Sequence, residues 1–443
     1  MNHDDNDDLI VAETPIPQLK FPSSSGIWPE ALRSLRHRNY LYFFLGQLIS
    51  LLGTWMQNAA QGWLLPILAS RDFHVTNTSY YVGAVSAISS APMFLLILFA
   101  GVLADRRDKR IILLITQTVM MVMAFILAYI THFHYNDMHL WYMIIFGVVG
   151  GITMAFDMPT RQSYVKELVG RQDIGNAIAL NSAIFNSARI VGPVIAGTLI
   201  ALPYIGMEGA FFINGISYIA VIIGLYLINT RFIPKAPSDN NVWMHLREGF
   251  SYVYHQRTIR LILVIMAIFS VFGFSSNILF PVIAHEVLNV GIREYTYMVT
   301  SLGIGAFVGA ILLAQYSSQI NKGTMLMLGG TMCGVALIAF CSAQLAQSLW
   351  GCLTALPFIG GGLIITSANI NSLIREIAPD NLRGRAVSIW AFLFAGLTPL
   401  GAFTVGGIAH LTSPAISSLV GGGVCLLTIG VVSISSPWVW KLK

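Results

Sequence analysis

The sequence is short of charge. Asp, Glu, Lys and Arg make up only 10% of its 443 residues, where a typical soluble domain carries about 25%. A chain of this length could not coat a water-facing surface with so few such groups, which excludes an ordinary soluble protein. Cysteine is scarce as well: Cys333, Cys341, Cys352 and Cys425 form no CxxC pair, which argues against a disulfide framework or a metal site. No GxxxxGK[ST] loop is present, so hydrolysis of ATP is not expected. The ten histidines form no HExxH or clustered ligand set, and His132, His134 and His139 read as a solvated loop. Nothing here points to an enzyme, a metal or a cofactor. Met1–Asp8 is acidic and the first long apolar run begins only near residue 40, which does not suit a cleavable signal peptide.

What the chain has in abundance is apolar length. Hydrophobic residues reach 55% and the mean hydropathy is +0.70. A bilayer core about 30 Å thick is crossed by about 20 apolar residues in a helix. Runs that fit lie at 41–68, 80–104, 111–132, 140–162, 176–203 and 208–229. After a polar break come 260–284, 294–316, 323–343, 349–373, 386–410 and 414–436. These twelve predict an all-α membrane protein. The 40 glycines suit helices packed closely in lipid, as in Gly305 with Gly309 or the Gly401, Gly406, Gly407 series.

The placement of basic residues tests that count. With a cytoplasmic N-terminus, all of the 25 Lys and Arg fall in inner loops and tails except Arg71, Arg293 and Arg189. Such a bias satisfies the positive-inside rule with both termini cytoplasmic, in a bacterial inner membrane. The net charge of +5 is therefore turned toward lipid headgroups, and nucleic acid is not an expected partner.

The pattern also divides the chain. Residues 1–39 read as a polar tail, expected to be disordered through 28, with a short basic amphipathic helix at 30–38. Spans one to six fill 40–229 and spans seven to twelve fill 260–436; residues 437–443 are a second tail. Between the halves, 230–259 is a linker whose Val242–Gln256 reads as an amphipathic helix lying on the membrane. VKELVGRQDIGNAIAL, after span four, resembles IREIAPDNLRGRAVSI, after span ten, and aligns Glu167 with Glu376. That faint repeat points to internal duplication.

Between spans two and three stands Gly101-Val-Leu-Ala-Asp105-Arg106-Arg107-Asp108-Lys109-Arg110. It resembles the G-x-L-a-D-r-x-G-r-r loop of the major facilitator superfamily, with Asp108 in place of the usual glycine. The resemblance implies two six-helix bundles rocking about a central cavity. It also implies a cytoplasmic latch formed by Gly101, Asp105, Arg106, Lys109 and Arg110 near the start of span eleven, around Arg385–Ser388. In span five, Ala188-Arg189-Ile-Val-Gly192-Pro193-Val-Ile-Ala196-Gly197 resembles the g-x-x-x-G-P-x-x-G-G element of superfamily exporters. Gly192, Pro193 and Gly197 would supply a packing face and a kink. RNYLYFFLGQLISLLGTWMQNAAQGWL and FDMPTRQSYVKELVGRQDIGNAIALNSAIFNSARIVGP are similar to the branch that contains the bacterial enterobactin exporter and macrolide efflux proteins. The basic R-x-x-q-G motif usual in span four of proton-coupled exporters is not recognisable.

An ionisable group at mid-bilayer costs about 2.5 kcal/mol or more. Asp157 in span four and Arg189 in span five are the two clear cases, expected to face the cavity and interact. Asp157 would titrate as Arg189 or a substrate group comes and goes; a permanent ion pair and an Asp157 that lies at the interface are the other readings. Steps of three and four place Gln47, Ser50, Thr54, Asn58 and Gln61 on one face of span one. Thr153, Asn181, Ser182, Asn186, Ser270, Phe274, Asn277, Asn369, Asn371 and Trp390 complete the candidate cavity wall, with interhelical hydrogen bonding as the alternative for each polar residue. The expected function is secondary export of a small amphiphilic compound (a siderophore, macrolide-like drug or metabolite) in exchange for protons, by a monomer in the bilayer. Uptake, lipid flipping and a non-transporting sensor or assembly protein remain alternatives.

Overall fold

The computed structural model of the chain describes residues 30–229 and 251–442, apart from the side chains at 98, 102, 105, 106, 381 and 395. The first tail up to residue 29 and most of the central linker, including Val242–Phe250 of its amphipathic helix, lie outside the described residues. Twelve membrane-length segments follow one another. The first half holds α1 (Arg38–Phe73), α2 (Ser79–Arg106), α3 (Lys109–Phe133), α4 (Leu140–Leu168), α5 (Ile174–Ile200) and α6 (Gly206–Leu227). The second holds α7 (Arg257–Val287), α8 (Ile292–Tyr316), α9 (Lys322–Leu345), α10 (Leu349–Ile377), α11 (Asp380–Gly396 and Thr398–Leu411) and α12 (Pro414–Ser435). No strand occurs among the described residues.

Among the described residues eleven helices are long and apolar enough to cross a membrane. The twelfth, α1, is the longest at 36 residues; Gln47, Gln57, Asn58 and Gln61 lower its hydropathy. Gln47 and Gln57 are buried against the protein, so α1 spends its polar residues on neighbours and not on lipid. Local signals set several helix starts. The Asp108 side chain accepts from the Arg110 N–H and caps α3, and Ser348 and Ser413 cap α10 and α12 in the same way.

Two segments that read as single apolar runs are irregular. Helix α7 passes from α-helix into a π turn at Phe269–Gly273, a 3-10 stretch at Phe274–Leu279 and a second π turn at Ile283–Val287. Helix α11 is interrupted at Leu397, just before Pro399. A hydropathy run reports burial in lipid and is blind to the hydrogen-bond register that these turns change. The basic segment before α1 also differs from expectation: Glu30–Arg36 is a 3-10 collar docked on the start of α5. Arg33 pairs with Asp173 at 3.0 Å, and the Ser34 N–H donates to Asn176 Oδ1 at 3.0 Å.

Packing within each half repeats. In the first, α1 lies on α5 and α6, α2 on α4, and α3 between α4 and α6; in the second, α8 lies on α10 and α9 between α10 and α12. One ion pair occupies the same place in both halves. Lys109 at the start of α3 meets Glu167 near the end of α4 at 2.7 Å, and Lys322 at the start of α9 meets Glu376 near the end of α10 at 2.7 Å. Across the halves, α2 packs on α11 and α5 on α8, with Gly83 against Gly406 and Gly303 against Ile190. Contacts also join the halves where α1 ends and α2 begins. There the Thr78 N–H and hydroxyl donate to Glu286, Asn77 donates to the Ala409 carbonyl, and Trp63 stacks on Tyr295.

Candidate functional site

The chemistry of the first half gathers around Asp157 on α4, which is 3% exposed. One carboxylate oxygen accepts from Thr116 Oγ1 at 2.9 Å and Gln117 Nε2 at 2.7 Å, both on α3. The other meets Arg161, one turn further along α4, at 2.6 Å. Arg161 also donates to Gln47 of α1, and Ser50 donates to Gln117 Oε1 at 3.4 Å. Three helices thus hold one carboxylate and one guanidinium inside the bundle. A neighbouring net joins Thr54 to the Tyr218 hydroxyl at 3.1 Å and Asn214 to Gln57 at 2.7 Å.

The expected Asp157–Arg189 interaction is replaced by Asp157–Arg161. Helix α4 continues to Leu168, so Arg161 lies inside a helix and not in the inner loop to which its charge assigned it. Its i, i+4 spacing then brings it to Asp157 with no tertiary help. Arg189 faces a different space, a cavity of about 120 Å³ between the halves. Trp55 of α1 and Phe274, Ser276 and Asn277 from the irregular part of α7 share that lining. A larger cavity of about 340 Å³ lies within the first half, lined by Thr54, Asn58, Gln61, Ser86, Ser89 and four methionines among others.

The other candidates separate. Ser270 donates to the Phe394 carbonyl and ties α7 to α11. Trp390 stacks on Phe394 at 5.4 Å, and Phe394 meets Phe274 edge-on at 4.9 Å, so an aromatic ladder reaches the inter-half cavity. Thr153 and Asn369 bond carbonyls of their own helices, and Asn371 accepts from Arg375 at 2.6 Å. Asn186 donates to the exposed Ser182, and Asn181 is half-buried. Gly192 lets α5 approach α1 until a Cβ there would stand 2.5 Å from that of Trp55, and Gly197 lies against Thr296 of α8. Pro193 is buried in a helix that runs on past it.

The loop after α2 divides. Lys109 is buried against Glu167 inside its own half, and Arg110 donates to the Tyr226 carbonyl at 2.7 Å. Nothing among the described residues lies within 4 Å of where a Cβ on Gly101 would stand, so close packing does not use it in this conformation. The side chains of Asp105 and Arg106 lie outside the described residues. Among the described residues no three His, Cys, Asp or Glu side chains come together as metal ligands.

Comparison with known proteins assigns this architecture. The profile of the transmembrane secretion effector family, a group of major facilitator transporters, matches residues 30–439. The chain belongs to that family. It is 24% identical over 362 residues to the staphyloferrin A transporter of Staphylococcus aureus, covering 81% of this chain and 87% of that protein. It is 20% identical over 360 residues to the enterobactin exporter of Salmonella typhimurium, covering 81% and 84%. The solved structure of a D-xylose–proton symporter superposes with a TM-score of 0.68 at 14% identity, covering 93% of this chain and 98% of that one. The protein is a multi-pass membrane transporter of the major facilitator superfamily, and not an enzyme.

Several of this transporter's polar site residues stand outside the expected cavity wall. Thr116 and Gln117 are adjacent polar residues in the otherwise apolar run 111–132, and that contrast was the available signal. Arg161 was signalled by its spacing from Asp157. Glu286 had no local mark, because its partner Thr78 is 208 residues away in sequence.

Proposed function

We propose that this transporter exports a small amphiphilic compound of the siderophore kind across the bacterial inner membrane, by alternating access and in exchange for protons. Both termini would lie in the cytoplasm, as the basic loops favour. The carrying observation is Asp157: a carboxylate inside a membrane bundle, held by donors from two helices and paired with Arg161. Its hydrogen bonds and ion pair join α3 and α4 through one carboxylate, so a change at that carboxylate can be coupled to rearrangement of the two helices. Rocking of the halves about the Gly83–Gly406 and Gly303–Ile190 contacts would supply alternating access. The siderophore class is carried over from the two named relatives.

The test is accumulation of enterobactin and staphyloferrin A in everted membrane vesicles with an acidic interior. Gradient-dependent accumulation that a protonophore abolishes supports the reading. Accumulation indifferent to the protonophore removes proton coupling, and accumulation only in right-side-out vesicles reverses the direction.

A further inference from the structure

Arg189 stands just past the middle of α5 with neither a hydrogen bond nor an ion pair among the described residues. Its surroundings make that unusual. The other charged groups inside the first half are partnered: Asp157 by Arg161 and Lys109 by Glu167. Placing a guanidinium at this depth is costly, and its five N–H donors require acceptors. The cavity it lines offers Trp55, Phe274, Ser276 and Asn277, and no carboxylate. The cation therefore has no anionic partner among the residues that line its cavity.

We propose that Arg189 is the anion-recognition group of the transport site, and that the cargo presents a carboxylate to it while an aromatic or apolar part lies between Trp55 and Phe274. This inference rests on the reading of the chain as a carrier of small amphiphiles and names the charge of the cargo. Three features support it. A planar guanidinium matches a carboxylate with two parallel hydrogen bonds. The walls are contributed by both halves, α1 and α5 from one and α7, α8 and α10 from the other, so one ligand touches both moving bodies. The aromatic ladder from Phe274 through Phe394 to Trp390 extends the apolar surface, and the buried Trp390 indole N–H has no partner.

Size limits what this conformation holds. A cavity of about 120 Å³ falls below the 300–1,000 Å³ of sites that enclose whole drug-sized ligands. It accommodates a carboxylate and the first ring or chain of its bearer. The rest would extend along the exposed face of α5 at Ser182 and Phe185. Phe185 already packs edge-on against Trp55 at 5.7 Å. The site is thus a recognition end with an open continuation.

The experiment uses the full chain in phosphatidylcholine nanodiscs and measures binding of 2-naphthoate and the isosteric, uncharged 2-naphthamide by titration calorimetry. Wild type should bind the carboxylate about tenfold or more tightly than the amide. Arg189→Gln should erase that preference and Arg189→Lys should restore part of it; thermal unfolding of both variants checks that they fold. Equal binding of the two probes, binding of neither, or an unchanged preference in Arg189→Gln overturns the assignment. Displacement of 2-naphthoate by phosphatidylglycerol added to the nanodiscs gives the guanidinium to a lipid headgroup, which also overturns it. The vesicle assay runs in parallel. Sustained siderophore flux without discrimination between the probes removes the anion site alone, whereas discrimination without flux removes the transport reading alone.

Discussion

The two halves of this transporter share a scaffold and differ in what they bury. Both carry a lysine at the start of the third helix bridged to a glutamate near the end of the fourth, Lys109–Glu167 and Lys322–Glu376. Among the described residues the buried charged side chains are Lys109 and Asp157, both in the first half. The second half buries hydroxyls, Gln344 and Asn369, and carries the broken helices α7 and α11. Gly362 of α10 stands so near α9 that a Cβ would lie 2.6 Å from the Gly329 carbonyl oxygen. The bridge at the helix ends is common to both halves and the interiors differ: one half buries ionisable groups, the other bends its helices.

The sharpest break of that comparison is Asp157→Asn. Gradient-driven accumulation should fall on the order of 100-fold, since the amide cannot exchange a proton at working pH, while energy-independent exchange of cargo continues. Initial rates in everted vesicles with and without an imposed pH gradient separate the two. Next comes Arg161→Ala, which leaves a buried carboxylate unpaired and should cost about 3–5 kcal/mol of stability. Unfolding by SDS titration measures it, and Asp157→Asn combined with Arg161→Ala should recover much of the loss. No single charge in the second half should produce a comparable loss.

The packing side of the comparison gives smaller effects. Gly362→Ala should cost about 1–3 kcal/mol, because its new methyl meets backbone that cannot move aside. Gly150→Ala, in the first half, has nothing within 4 Å and should change stability by no more than about 0.5 kcal/mol. The same SDS titration compares them. Smallest are the repeated bridges. Lys322→Ala should cost under about 1 kcal/mol, as for other exposed pairs. Lys109→Ala should cost more, since that side chain is 4% exposed against 21% for Lys322. Equal losses would show that burial of the lysine does not distinguish the bridges.

The membrane fold was legible because lipid imposes a one-dimensional rule. Each crossing must be a long apolar helix, so twelve runs appear in hydropathy and the basic residues sort by loop. Even so, α1 reads as apolar only between its Gln and Asn residues. The breaks in α7 and α11 left little trace, because π and 3-10 turns change hydrogen-bond register without changing composition. Candidate site residues were legible as polar groups in apolar runs, which is why Asp157, Arg189 and Gln47 stood out.

What the sequence determined by itself is therefore the number of crossings, their division six and six, and the identity of the costly charges within them. Those follow from transfer free energies, which depend on residue type alone. Only the tertiary structure decided the partners. Asp157 turns to Arg161, Thr116 and Gln117, and Arg189 turns toward Trp55 and Phe274 across the gap between the halves. A helix's rotation about its axis, and the neighbour it then faces, come from side-chain packing between segments distant in sequence. Hydropathy averages that information away.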